Sequence, residues 1–116
     1  MPQYMLLIYQ PVDSPVSPEQ LAEMGPRWDA YTQSLKDAGV FVAGDALERP
    51  DVATTVRERD GQTQFTDGPF AETKEWLGGY YIVEAPSLDE AIEAAAMCPG
   101  AKDGSVEVRP IVDVGG

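Results

Sequence analysis

The sequence predicts an α+β fold in one domain, residues 1–116, built on a four-stranded antiparallel sheet with an inserted β-hairpin. Three observations predict it. Two short runs, Tyr4-Met5-Leu6-Leu7-Ile8-Tyr9 and Tyr80-Tyr81-Ile82-Val83, are apolar at consecutive positions and read as strands with both faces covered. Each is followed by a helix signal and then a further strand, giving two β-α-β units. Between the units Asp60-Gly61 supplies a two-residue hairpin turn.

The elements follow in order. After Pro11, Ser17-Pro18-Glu19-Gln20 offers an N-cap, a proline at the first helical position and a Gln three residues after the cap. Leu21, Met24, Trp28, Tyr31 and Leu35 then form one apolar helical stripe. Gly25-Pro26 is expected to kink this helix or split off its first turn, and Gly39 to stop it. Val40 to Leu47 reads as the second strand. Val52 to Arg59 and Gln62 to Thr66 flank the hairpin turn, in a register that sets Val56 opposite Phe65. A single helical turn is expected over Ala71 to Trp76, broken by Gly78-Gly79. Ser87-Leu88-Asp89-Glu90 caps a second helix, with Leu88, Ala91, Ile92, Ala95 and Ala96 as its stripe and Pro99-Gly100 as its end. Ser105 to Val112 alternates, Val106 and Val108 on one side and Glu107 and Arg109 on the other.

With the hairpin set aside, the order is the split β-α-β arrangement of ferredoxin-like folds, in which the first and third sheet strands are central. Those are the two strands that are apolar on both faces. Helices cover one face of such a sheet. The reading assigns Tyr4, Leu6 and Ile8 to the other face, which then needs its own cover. Leaving several large side chains bare forfeits several kcal/mol at ~25 cal/mol per Å2, so a second copy packed sheet to sheet is the economical solution. The alternative is that the hairpin folds back over its own sheet.

Composition narrows the function. Eight basic residues stand against 20 acidic ones, a formal net charge of −12. Nucleic-acid backbones and anionic membrane surfaces are disfavoured partners, and a cationic partner is favoured. No apolar run is long enough to span a membrane, and the opening residues lack the pattern of a secretory signal, so the expected location is cytoplasmic. Histidine is absent and Cys98 is the single cysteine. Cys-His and Ser-His catalysis, His-ligated zinc and disulfides are thereby removed, and Cys98 reads as a buried structural thiol.

The most distinctive stretch is Asp67-Gly68-Pro69-Phe70-Ala71-Glu72-Thr73-Lys74-Glu75. Pro69 excludes Gly68 from the helical region, so Gly68 is extended or in a glycine-only conformation. Asp67 is either a general base or a carboxylate that accepts backbone amides at the bend. Glu72 and Glu75 are either an acid-base pair or a solvated face, with Lys74 beside them. The spacing of Asp67, Glu72 and Glu75 does not fit a calcium loop, and no metal or cofactor is expected. Arg109, near the end of the last strand, either anchors an anionic ligand or pairs with a carboxylate. Tyr9 and Tyr81 either fill the core or donate a phenolic hydrogen bond into a pocket. Trp28 reads as packing.

The Asp67-Gly68-Pro69-Phe70 motif with Glu72, Lys74 and Glu75, then Leu77-Gly78-Gly79-Tyr80, resembles the YCII-related, YciI-like family in its DGPF subgroup. The opening strand, Gly44 to Leu47, Thr54 to Arg57 and Ser105 to Pro110 fit the same pattern, so the likeness covers nearly the whole chain. The resemblance implies a dimeric α+β barrel of ferredoxin-like subunits from bacteria, in a family whose DGPF-type members are often linked with extracytoplasmic-function sigma factors. The His-Asp pair proposed as acid-base catalysts in YciI does not carry over to a chain without histidine. The expected function is a homodimeric small-molecule-binding protein, possessing a cleft lined by Tyr9, Asp67, Phe70, Lys74 and Arg109, with a sigma-factor-linked protein as a further partner. Two alternatives stand beside it: a cofactor-independent enzyme using Asp67, Glu72 and Glu75 as acids and bases in an intersubunit cleft, and a non-catalytic interaction module.

Overall fold

The computed structural model describes residues 1–11, 18–69 and 74–113. Two long antiparallel strands, β1 (Gln3–Pro11) and β5 (Glu75–Glu84), lie side by side at the centre of a four-stranded sheet. Strand β2 (Phe41–Ala46) flanks β5 and β6 (Ser105–Pro110) flanks β1, giving the order β2-β5-β1-β6. This is the ferredoxin-like order, with the two oily strands inside. Strand β5 begins earlier than the local sequence suggests. Glu75 and Trp76 are strand rather than part of a helical turn, because they pair with Pro11 and Gln10 of β1. Gly78-Gly79 does not end the strand either. Ile8 faces Gly79 and Tyr9 faces Leu77, so Gly78 is the extra residue of a β-bulge, its carbonyl accepting from Leu47 N–H at 2.9 Å.

The helices pack on one face. Helix α1 (Pro18–Asp37) runs unbroken through Pro26, contrary to the expected split. Glycine at position 25 has no Cβ to meet the proline ring, which removes much of the usual penalty on the preceding residue. The expected cap Ser17 and the side chain of Leu21 lie outside what is described. The helix ends in a Schellman motif. Gly39, at φ 75°, donates to Lys36 O and Val40 donates to Leu35 O. Helix α2 (Leu88–Ala96) is capped as expected, Ser87 Oγ accepting from Glu90 N–H. It buries Ala91 and Ala95, whereas Leu88 and Ile92 are 45% and 48% exposed. The small alanines, not the large residues of the expected stripe, bring the helix close to the sheet. After Pro99 the chain turns once more as α3 (Gly100–Asp103) before entering β6. Tyr31 Oη donates to Ala94 O at 2.7 Å and ties α1 to α2.

The core lies between these helices and the sheet, and it corrects the face assignment. Tyr4, Leu6 and Ile8 are buried under the helices with Tyr81 and Val83, packed against Tyr31, Leu35, Ala91, Ala95 and Cys98. The other face carries Met5, Leu7 and Tyr9 of β1, with Leu77, Tyr80 and Ile82 as their β5 neighbours. Residues apolar on both sides of a strand cannot reveal which parity points to the helices; the register of β6 does. Its apolar Val106 and Val108 pair with Ile8 and Leu6, and its polar Glu107 and Arg109 pair with Leu7 and Met5. The molecule is 18 Å in its thin dimension, enough for one sheet and one helical layer.

The hairpin β3 (Thr54–Arg59) and β4 (Gln62–Asp67) forms a separate two-stranded sheet, preceded by a short 3-10 turn at Pro50–Val52. Val56 faces Phe65, as expected. Asp60 (φ 53°) and Gly61 (φ 76°) make the left-handed pair of a type I′ turn. The apolar side is not laid over the parent sheet, since Val56 is 57% and Phe65 71% exposed. At 16.2 Å, the radius of gyration exceeds the roughly 13 Å of a compact domain this long.

Candidate functional site

A cavity of about 400 Å3 opens between α1 and the β2–β5 side of the sheet. Trp28 and Met24 come from the helix; Phe41 and Tyr81 come from the strands. Gly44 of β2 and Gly78 and Gly79 of β5 line it where larger residues would fill it. Side chains at these positions would crowd the residues that wall it. A Cβ on Gly44 would sit 2.7 Å from the Tyr81 ring, and one on Gly79 would sit 2.9 Å from the Asp45 carbonyl oxygen. The aromatic wall is organised around Tyr81. Trp28 lies parallel to it at 6.3 Å, and Tyr31 and Phe41 meet it edge-on at 5.4 and 6.2 Å.

Polar groups are few. The Tyr81 hydroxyl and Thr32 Oγ1 share a hydrogen bond at 2.5 Å. Burial raises the Tyr81 pKa, the Thr32 hydrogen bond opposes that rise, and the neighbouring Cys98 and Asp29 add to it. Tyr81 therefore stays protonated at neutral pH and serves as a hydrogen-bond donor or acceptor, not as a base. Burial likewise raises the Cys98 thiol, against the pull of the Gly100 and Ala101 amides, and keeps it inert. Tyr80 donates to Asp45 Oδ2 at 2.7 Å, which raises the Tyr80 pKa. Asp29 and Asp45 are the ionisable carboxylates among the described lining residues, which include no Lys or Arg. The arrangement suits a flat, largely apolar molecule with one or two hydrogen-bonding groups. Among the described residues no three acids or thiols converge as a metal-ligating group, and no helix is long and apolar enough to cross a membrane.

Comparison with known proteins gives the chain its family. The YCII-related domain matches residues 2–114. The chain belongs to the YCII-related family. A relative from Rhizobium meliloti (strain 1021), the uncharacterized protein R00369, is 37% identical over 112 residues, covering 93% of this chain and 90% of its own.

The residues singled out in the sequence of this YCII-related protein are not gathered in that cavity. Tyr9 lies on the face of the sheet away from the helices, paired with Leu77 and Ser105. Arg109 is on the same face and directs its guanidinium to Glu107, Nε to Oε2 at 2.7 Å. Asp67 ends β4 opposite Thr54, at the base of the hairpin. The bend there is held by backbone and by Thr55: Gly68 N–H donates to Ala53 O at 2.7 Å, and Thr55 Oγ1 donates to Gly68 O at 2.9 Å. Gly68 takes the glycine-only conformation, at φ 97°. Lys74 is exposed at the start of β5, and Glu75 accepts from Ser105 Oγ at 3.2 Å. Phe70 and Glu72 lie outside the described residues.

The sequence left Tyr81 as either core or a donor into a pocket; it is buried in the core and also lines the cavity, and Trp28 packs against it while walling the same space. Sequence reading missed Asp29, Thr32, Phe41 and the glycines. A signal was present. Gly25, Asp29 and Thr32, spaced four and three apart, form a small and polar stripe on α1 beside the apolar one. The facing strands contribute Gly44, Gly78 and Gly79. A side-chain-poor stripe opposite strand glycines leaves a gap, but only the sheet register shows that they face each other.

Proposed function

We propose that this YCII-related protein is a homodimeric small-molecule-binding protein whose ligand occupies the cavity between α1 and the β2–β5 side of the sheet. The observation that carries the reading is the cavity itself. Its size lies in the range of small-ligand sites, its walls are aromatic, and Gly44, Gly78 and Gly79 line it. A thermal-shift screen of metabolites tests it. A ligand at 100-fold its dissociation constant adds ~2.7 kcal/mol of stability, and the same ligand gives no shift with Gly44→Val, whose side chain collides with the Tyr81 ring of the cavity wall. A broad library without a shift in wild-type protein, or shifts that persist in Gly44→Val, contradicts the reading.

Dimerisation rests on the helix-free face. Met5, Leu7, Ile82 and Leu77 form an apolar centre, and Glu84, Glu107, Arg109 and Asp45 surround it, the core-and-rim pattern of a protein interface. The hairpin supports the same reading, since a lone two-stranded ribbon with an exposed Val56–Phe65 pair is marginal in water. Analytical ultracentrifugation tests it: wild type sediments at twice the mass of the 12.6 kDa chain, and Leu7→Glu sediments as a single chain. A wild-type mass of one chain at micromolar concentration contradicts it.

A further inference from the structure

We infer that the cavity selects an organic cation, an ammonium group attached to a small aromatic or branched alkyl body, and discriminates against anions. The inference rests on the proposal that this cavity is the ligand site. Three aromatic rings, those of Trp28, Phe41 and Tyr81, line it, Trp28 stacked parallel to Tyr81 and Phe41 set edge-on to Tyr81. A cation over such a ring is attracted by the ring quadrupole, most strongly where water is excluded. Phe41 already accepts an ammonium in this way, with Lys36 Nζ 5.3 Å from its centroid, although Lys36 itself does not line the cavity.

The charge balance points the same way. The ionisable side chains on the described lining are Asp29 and Asp45. Strand alternation sends Gly44 and Tyr81 toward the helices and Asp45 and Tyr80 to the opposite face, where Tyr80 donates to Asp45. Asp29, solvent-exposed on α1, is therefore the counter-charge beside the cavity. Its field reaches the Tyr81 hydroxyl, one of the groups whose charge adds to holding that proton on. An anion entering here meets the Asp29 carboxylate and no cationic donor on the described lining, within a chain of net charge −12. A cation meets the reverse, and the field of the whole molecule raises its local concentration.

The test uses three soluble probes of similar body and different charge: benzyltrimethylammonium, benzyl alcohol and benzoate. Binding is read by tryptophan fluorescence in a Trp76→Phe background, which leaves Trp28 as the remaining indole of the two in the chain. The expected result is binding of benzyltrimethylammonium about tenfold tighter than of benzyl alcohol, equivalent to ~1.4 kcal/mol, with benzoate weakest. Asp29→Asn removes most of the preference for the cation and leaves benzyl alcohol unchanged, and Asp29→Glu restores it. Equal binding of the alcohol and the cation, or tighter binding of benzoate, overturns the cation selectivity while the ligand site stands. Failure of all three probes to perturb Trp28, or binding unaffected by Gly44→Val, overturns the site itself.

Discussion

Replacing Gly44 by alanine is the smallest perturbation that reads out the cavity. The added Cβ would lie 2.7 Å from Tyr81 Cδ1 and 3.1 Å from both Tyr81 Cε1 and the Tyr80 carbonyl oxygen. Restoring an ordinary contact near 3.5 Å requires the ring to retreat by about 0.8 Å. It has little freedom to do so. Its hydroxyl is fixed to Thr32, Tyr31 abuts it edge-on, and the residue is 9% exposed. Overpacking of this kind costs about 1–3 kcal/mol, offset by the ~0.4–1 kcal/mol that losing a glycine removes from the unfolded chain's entropy. With mid-range values the net loss is about 1.3 kcal/mol, which for a chain of this length lowers Tm by roughly 5 °C. Calorimetry at matched protein concentration measures it, since association makes Tm concentration-dependent. The variant also loses ligand affinity, because Tyr81 is part of the cavity wall. An unchanged or raised Tm would show that Tyr81 is not confined as described and would remove the reason for glycine at this position.

Three further outcomes follow from the same geometry. Tyr31→Phe deletes the bond to Ala94 O that joins α1 to α2, and urea unfolding should show a loss of about 1 kcal/mol. Burial raises the pKa of Cys98, Tyr31 and Tyr81, so their contribution to stability is complete below their unfolded values of 9.0 and 10.0 and declines as pH rises through them; urea midpoints measured from pH 7 to 11 should fall, and Cys98→Ala should flatten the first part of that fall. At the hairpin base, Gly68→Ala should destabilise by more than 1 kcal/mol because φ is 97°, whereas Asp67→Ala should change stability by less than ~0.5 kcal/mol, since backbone and Thr55 bonds hold the bend; equal effects in urea unfolding would contradict this division of labour.

Local signals carried most of the architecture. Consecutive apolar residues at Tyr4 to Tyr9 and Tyr80 to Val83 announced the central strands, Asp60-Gly61 the turn, and Ser87 the second cap, each by chemistry confined to a few neighbouring residues. What failed depended on contacts between distant segments. Glu75 and Trp76 are strand because Pro11 and Gln10 lie beside them. The parity of Tyr4, Leu6 and Ile8 follows from Val106 and Val108, about a hundred residues away in the chain. The candidate site was less legible for the same reason. Charge marks out Asp67, Glu72 and Glu75, whereas the cavity is lined by Gly44, Gly78 and Gly79 of the strands together with Asp29 and Thr32 of α1. Absent atoms leave no composition signal, and their juxtaposition is set by the fold.

The most direct test of the ligand site is an NMR titration of the two tryptophan indole N–H signals while candidate ligands are added to 15N-labelled protein. Trp28 walls the cavity, and Trp76 sits beside Arg49 with its ring close to Gly78 of the lining. A ligand should shift the Trp28 signal in a saturable manner and by more than the Trp76 signal, with the shift abolished in Gly44→Val. A saturable shift of Trp76 alone, or of Trp28 undiminished by Gly44→Val, would place binding elsewhere.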